Sequence, residues 1–529
     1  MKKILILQII LFNLSFVFAQ STPDHFNIGE EKNDLNKINS STPLSNTITD
    51  IIATGDTIWL GTSRGVSLST DNGENWTNFY GSAVFGSDNI ASIGYYNGIF
   101  WCATARSTEI DGQTYPEGTG IKFTSDFGVS WKSIPQPLDA ENDTIETYGI
   151  NQIDALPVTV AINNLAYDMA FTPNTIWITT FAGGLRRASI SELIADQNAD
   201  WKRVVIPPDF LNSISPQDTL NFCLSPVGGN FCSSGNLNHR VFSIVAADDS
   251  TVYVGTANGI NKTSDANNQF PAWIKFNATN QNQPISGNFI TALGYNKLNH
   301  SVWASTWKAE GETEFYGVSS SNDGGNTWDT FLHDERPHNF GFKNYDIMVA
   351  TDNGVFRSTD NGNSWVLPNS IMDSETKYIL TTKTFYSASS YQNNIWLGST
   401  NGLARLQETS GRIWQGTWKV FLASQPVASN SETYCSPNPF NPRIDNGLKF
   451  SYSTDGIEKQ VTIRIFSFNF DYIRTVVQNV PRILAPDSPP IDFWDGKDEN
   501  GKIVPNGVYF YRVEVGDNDP IFGKILVMQ

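Results

Sequence analysis

The middle of the chain repeats a pattern of an apolar strand, a turn, and a second strand of the type Thr-Ile-Trp-Leu-Gly-Thr, as at Thr57 to Thr62. The second strand recurs at Thr175 to Thr180, Thr251 to Thr256 and Asn394 to Ser399, and in weaker form at Ile99 to Thr104, Ser301 to Thr306 and Asp346 to Thr351. Each unit runs for roughly 30 to 50 residues, a period found in propellers and solenoids. A unit of a few short strands cannot bury its own faces, so the copies must stack, and a radial stack of four-stranded sheets closes into a ring. A solenoid would need atypical end coils, whereas the first and last copies here are as regular as those between them. The sequence therefore predicts an all-β chain with a seven-bladed β-propeller over residues 45–424. How the ring is sealed, and whether residues 35–42 add a strand, are questions for the structure.

Four units end in a turn of the form Ser/Thr-x-Asp-x-Gly-x-x-Trp: Ser69, Asp71, Gly73 and Trp76; Thr124, Asp126, Gly128 and Trp131; Ser321, Asp323, Gly325 and Trp328; Ser358, Asp360, Gly362 and Trp365. The spacing has a local cause. Asp accepts hydrogen bonds from turn amides, Gly takes a positive φ, and Trp packs into the sheet stack. These residues are expected to shape the fold rather than touch a ligand. Degenerate copies stand at Thr263, Asp265 and Trp273, at Thr409, Gly411 and Trp414, and at Trp201. The turn resembles the Asp-box, or BNR, repeat of sialidase-like propellers, and Trp59 to Val66 is similar to the periplasmic propellers of hybrid sensor kinases. Both resemblances imply the blade fold.

Lys2 and Lys3, the apolar run Ile4 to Phe16 and the small-residue site Val17 to Ala19 read as a secretory signal over residues 1–19, followed by a leader over 20–44. No later apolar run is long enough to span a membrane, so a secreted or outer-surface protein is expected. A net charge of −18 and a pI near 4.7 repel a phosphate backbone and argue against nucleic acid. Polycations, metal ions and neutral glycans are compatible with that charge. Four cysteines do not make a disulfide framework. Cys223 and Cys232 are close enough to bridge within one long link, with two free thiols as the alternative. Cys102 lies in a strand pattern and Cys435 opens the last domain.

A stretch rich in Ser, Asn and Pro (residues 425–434) precedes a final segment, 435–529, of a size suited to an independent β-sandwich. It contains Ser436 to Pro442, the alternating run Val461 to Phe466, Trp494 to Asp498, and Asn506 to Arg512. Together these resemble the immunoglobulin-like domain of the flagellar hook-capping (FlgD) family and the C-terminal sorting domain of type IX secretion cargo. The cargo resemblance implies a small immunoglobulin-like sandwich that engages the secretion machinery, with Gly523 to Val527 as the last strand recognised. Cargo domains usually have a Gly in the hairpin after the Val461 run. This chain has Asn469, which also tolerates a positive φ.

In a propeller, links from second to third strand and from blade to blade share one face. All the long insertions fall in that group: residues 105–120, 135–159, 207–240, 278–287 and 306–317. They predict a binding face for a glycan or a protein. Its candidate contacts are Glu109, Asp111, Tyr115, Tyr148, Trp307, Glu312, Tyr316, His333 and His338, since rings stack on sugars and carboxylates bind hydroxyls or Ca²⁺. The sequence His333-Asp334-Glu335-Arg336-Pro337-His338 matches no metal-ligand spacing, so no resident metal or cofactor is expected. Sialidase and xyloglucanase chemistry is the enzymatic alternative, as a glycoside hydrolase. An Arg-Ile-Pro segment before the first box is missing, and the arginines do not recur in a sialidase arrangement, so a binding role without catalysis is the primary expectation.

Overall fold

A computed structural model of the protein describes residues 39–40, 42–309, 313–423, 432–445, 447–484 and 490–529. The expected signal peptide and most of the leader and linker lie outside these residues, as does Glu312. Among the described residues the chain is all-β apart from short helical turns. Seven antiparallel meander sheets follow one another between Ile48 and Phe421. Their first strands are Ile48–Thr54, Asn89–Tyr96, Ala166–Thr172, Val241–Ala246, Phe289–Asn296, Pro337–Lys343 and Phe385–Tyr391. Each first strand packs on the first strand of the next sheet, and the seventh packs back on the first, making a closed propeller-like ring. In the sixth sheet the fourth strand shrinks to a bridge between Arg357 and Val366.

The ring closes without exchanging a strand. All four strands of the seventh sheet come from residues 385–421 and all four core strands of the first from residues 48–78. The leader adds a fifth, outermost strand, Asn39–Ser40, paired with Trp76–Asn78. The seam is instead a packed wall of Ile48, Ile58, Leu60, Trp76, Trp396 and Phe421. Arg405 and Lys419 reach Glu74 across it, and Arg405 also donates to the Asn72 carbonyl.

The four Asp-centred turns show why their spacing repeats. In the first, Asp71 accepts from Ser69 Oγ and the Asn75 N–H, both at 2.8 Å, while Ser69 Oγ accepts from the Gly73 N–H at 2.8 Å. Asp126, Asp323 and Asp360 make the same set. The degenerate copy keeps Thr263 on Asp265 at 2.6 Å. Each turn glycine has a positive φ and also abuts an aromatic ring of the preceding sheet: Gly128 on Phe79, Gly325 on Phe276, Gly362 on Phe331, and Gly73 on Trp396 and Phe421. A Cβ on Gly73 would lie 2.7 Å from Trp396. Gly73→Ala therefore opposes both the backbone and the seam, and is expected to cost about 2–3 kcal/mol in a denaturant titration. A cost near zero would show that the seam does not depend on this contact.

The described residues after 432 form a two-layer sandwich. Strands Tyr434–Ser436, Leu448–Ser451 and Asp492–Trp494 make one sheet, and Lys459–Phe466, Tyr472–Arg482, Gly507–Val515 and Ile521–Val527 the other. Phe440, Phe450, Ile463, Trp494, Tyr511 and Ile525 lie in the core between them. Lys449 of the three-stranded sheet donates to Asn401 Oδ1 of the ring at 2.8 Å, and burial pushes its ammonium pKa down to about 8.

Candidate functional site

Every first strand of the ring carries a β-bulge near its start. The bulges leave Asp50, Ser92, Asp168, Ser243, Ala292, Asn339 and Ser387 at one equivalent position. A bulge turns a side chain out of the regular alternation, and Asp50, Asp168, Ala292 and Asn339 of this set line the central channel. Some of these groups tie one sheet to the next: Ser92 Oγ donates to the Ala166 carbonyl at 2.9 Å, and Asp168 accepts from the Ile244 N–H at 2.8 Å. Asp50 accepts from the Ile51 N–H at 2.8 Å and, at 3.5 Å, from Asn339 Nδ2.

The seven strands enclose a central cavity of about 330 Å³, lined by Asp50, Asp168, Thr291, Asn339 and Ser389 among others. That size is at the lower end of small-molecule sites. Burial pushes the Asp50 carboxyl up to about 7, against the lowering pull of the Ile51 N–H. Burial pushes Asp168 up to about 7 as well, against hydrogen bonds from the Ile244 and Met169 N–H groups, with the Asp50 charge adding to the rise. The cavity thus holds two carboxyls that titrate near neutrality. They can accept hydrogen bonds from hydroxyls, pair with a cationic group, or carry a proton.

An aromatic collar surrounds the end of the channel where the between-sheet links enter. Tyr167 packs on Phe242 and Phe242 on Phe289, with centroids 5.4 and 4.8 Å apart. Trp307, the cross-strand partner of Phe289, continues the row: it meets His338 at 5.7 Å, and His338 meets Tyr386 at 5.0 Å. Arg336 lies over both Trp307 and Tyr316, 5.7 and 5.0 Å from the ring centroids, and stays half exposed. All five long insertions leave this end of the ring, and so does a further long link, residues 367–384, between the sixth and seventh sheets.

Of the residues singled out in the sequence, Glu109, Asp111 and Tyr115 lie on a projecting structure, but residues 105–120 are not a loop. They extend the second sheet as one hairpin, strands Ile99–Ile110 and Gln113–Thr124, turning at Asp111 and Gly112. Tyr148 is a correction: it is buried, and its hydroxyl donates to the Pro271 carbonyl at 2.7 Å, because the residue 135–165 link folds down as a small sheet. Trp307 is likewise buried and spends its indole N–H on the Pro337 carbonyl. Tyr316 is half-buried beneath Arg336. His333 is exposed and stacks on Phe315, while His338 is buried with Nε2 2.8 Å from Asp352, so the two imidazoles have separate partners. No group of three or more His, Cys, Asp or Glu among the described residues could hold a metal ion. Cys223 and Cys232 are joined in a disulfide, and Cys102 and Cys435 are buried thiols.

Asp50 and Asp168 escaped the sequence reading because they sit inside apolar strands rather than in loops. The signal was there in the alignment of the repeats: a carboxylate occupies a position that is Ser, Ala or Asn in the other units.

No protein-family model matches the chain, and no curated protein matches it. Among solved structures it is similar to PorZ, an essential bacterial surface component of the type IX secretion system of Porphyromonas gingivalis (12% identity, 90% of this chain and 65% of that one, TM-score 0.40). The chain thus covers just under two thirds of the length of that structure. It is also similar to YCF48 from Cyanidioschyzon merolae (12% identity, 63% of this chain and 84% of that one, TM-score 0.37) and to the WD40 β-propeller domain of Doa1 (11% identity, 69% and 94%, TM-score 0.39). These are likenesses of overall β architecture, and no residue here takes a role from them. Among the described residues no helix is long and apolar enough to cross a membrane.

Proposed function

We propose that this chain is a secreted or cell-surface binding protein. Its ring is a seven-bladed β-propeller of the Asp-box type that recognises a glycan or protein ligand at one end. Its last domain is an immunoglobulin-like module for export by the type IX route or for surface attachment. The observation that carries the binding reading is the meeting, at one end of the ring, of every long link, an aromatic collar, and a cavity holding Asp50 and Asp168. Asp50 and Asp168 supply directed acceptors for hydroxyls, and the largely buried collar gives the mouth of the cavity a rigid apolar wall.

A glycan array probed with the full chain tests this. Binding without product release, weakened about tenfold or more in Asp50→Asn, is the expected result. Silence of the array would leave the ring as a platform for protein contacts.

A second reading, glycoside hydrolysis, is favoured by one feature: two carboxyls, Asp50 and Asp168, line one cavity, and a glycosidase works through a pair of carboxyls. Reducing sugar released by the wild type and not by Asp168→Asn would establish that reading instead.

A further inference from the structure

The outermost long edge of the final domain is already occupied. Strand Ile521–Val527 lies at the rim of the four-stranded sheet, where an unpaired edge would invite an added strand from a partner. The Ser436–Pro442 segment covers it. The Asn438 side chain imitates a strand partner, donating to the Lys524 carbonyl at 2.9 Å and accepting from the Leu526 N–H at 2.8 Å. Phe440 continues the pairing, its N–H on the Leu526 carbonyl at 2.8 Å and its carbonyl accepting from the Met528 N–H at 2.9 Å. Phe440 itself is fully buried in the core, so this cover is bolted down.

The outward face of the same sheet is the opposite case. Register places Phe466, Phe510 and Lys524 in one cross-strand row and Arg464, Arg512 and Phe522 in the next, with Val508 opposite Leu526. Phe468 and Phe470, 67% and 64% exposed, stack on Phe510 from the neighbouring hairpin, the Phe470 and Phe510 rings lying 2° from parallel. Phe522 is 58% exposed. The cations Arg464, Arg512 and Lys524 stand among these groups, the two arginines both paired with Glu514 at 2.8 Å, in a chain whose net charge is −18. The ring contacts the other sheet, through Lys449, and among the described residues Phe468, Phe470 and Phe522 of this face stay exposed.

We propose that the final domain is recognised through this outward face, not by strand addition at its last strand, and that the partner is a protein surface with an apolar centre and an acidic rim. Charge complementarity selects the rim, because Arg464 and Arg512 share one carboxylate and Lys524 is exposed, so the cations of this face seek further carboxylates. Phe468 and Phe470 stack on Phe510 into one ordered apolar block, and such a block between cations suits the centre of a protein contact. The proposal rests on reading the domain as an export or attachment module.

The test is delivery of the full chain in cells that export it, with thermal melting of each purified variant as a check on folding. Phe522→Glu with Leu526→Glu is expected to lower delivered protein about tenfold or more at an unchanged melting temperature, while Asn438→Ala, which weakens only the edge cover, leaves delivery intact. Normal delivery of the double variant, or loss of delivery in Asn438→Ala alone, overturns the proposal. Should the double variant melt early, Lys524→Glu, at an exposed position, carries the same expectation. Co-sedimentation of the wild type with phosphatidylglycerol vesicles, lost in the double variant, would overturn it in favour of an anionic lipid. Delivery unaffected by deleting residues 435–529 would instead defeat the module reading itself.

Discussion

Replacing Asp139 with alanine is expected to destabilise the protein by about 3–5 kcal/mol, the range seen when one member of a buried ion pair is removed. Asp139 lies in the long link between the second and third sheets, with its side chain 4% exposed, and forms a two-pronged pair with Arg186 at 2.8 Å on each prong. Its Oδ2 also accepts from the Val158 N–H at 2.8 Å, pinning the two ends of the same link together. Burial works to raise this carboxyl, and the hydrogen bonds and charge of Arg186 overcome it and hold the group below the usual carboxylate range. Arg203 keeps Asp143 and Glu146 when Asp139 is lost, whereas Arg186 keeps no ion pair among the described residues, only the more distant charge of Glu146. The uncompensated buried guanidinium, more than the lost attraction, sets the cost. Chemical denaturation checks the magnitude. A double change to Asp139→Ala and Arg186→Met should recover much of it, because the stranded charge goes as well. A single-variant cost below about 1 kcal/mol would mean that the link is not anchored through this pair.

Asp50→Asn should do the reverse, raising stability at pH 8 by about 2 kcal/mol or more. The folded pKa of Asp50 is pushed up to about 7 from 3.8, so the native state holds a proton that the unfolded chain has released. Between pH 4 and 7 the native protein therefore binds more protons, and stability falls as pH rises through that window, levelling off above it. Asp168 adds a second contribution of the same sign. Asparagine keeps an acceptor for the Ile51 N–H and removes the charge, so the variant should flatten the pH dependence as well as lift it. Denaturant midpoints at pH 5 and pH 8 decide the matter: a wild type equally stable at both would show that the channel carboxyls are fully hydrated. Greater stability together with weaker ligand binding would be the signature of a group retained for function at the expense of the fold.

Much of the architecture could be read from local chemistry. The repeat of Trp59, Trp177 and Trp396 in the second strands, and the Ser/Thr-Asp-Gly-Trp turns, arise from interactions within a few residues, and such patterns survive in a linear text. The location of the long links at one end likewise follows from counting strands. The buried state of Tyr148, Trp307 and His338 was not visible there, because an aromatic in a link looks the same whether it meets a ligand or a backbone carbonyl of another sheet.

The sequence by itself determined that the chain repeats, that each repeat is a small set of strands with a self-sufficient turn, and where the elaborated links leave it. Only the tertiary structure decided which groups share a space: Asp50 with Asp168 across the cavity, Gly73 against Trp396 at the seam, and Asn438 along the last strand. The members of the first two pairs are more than a hundred residues apart, and those of the last more than eighty. Turn and strand preferences act over a few neighbours, whereas burial, charge repulsion and edge pairing depend on distances that exist only once the ring and the sandwich have closed.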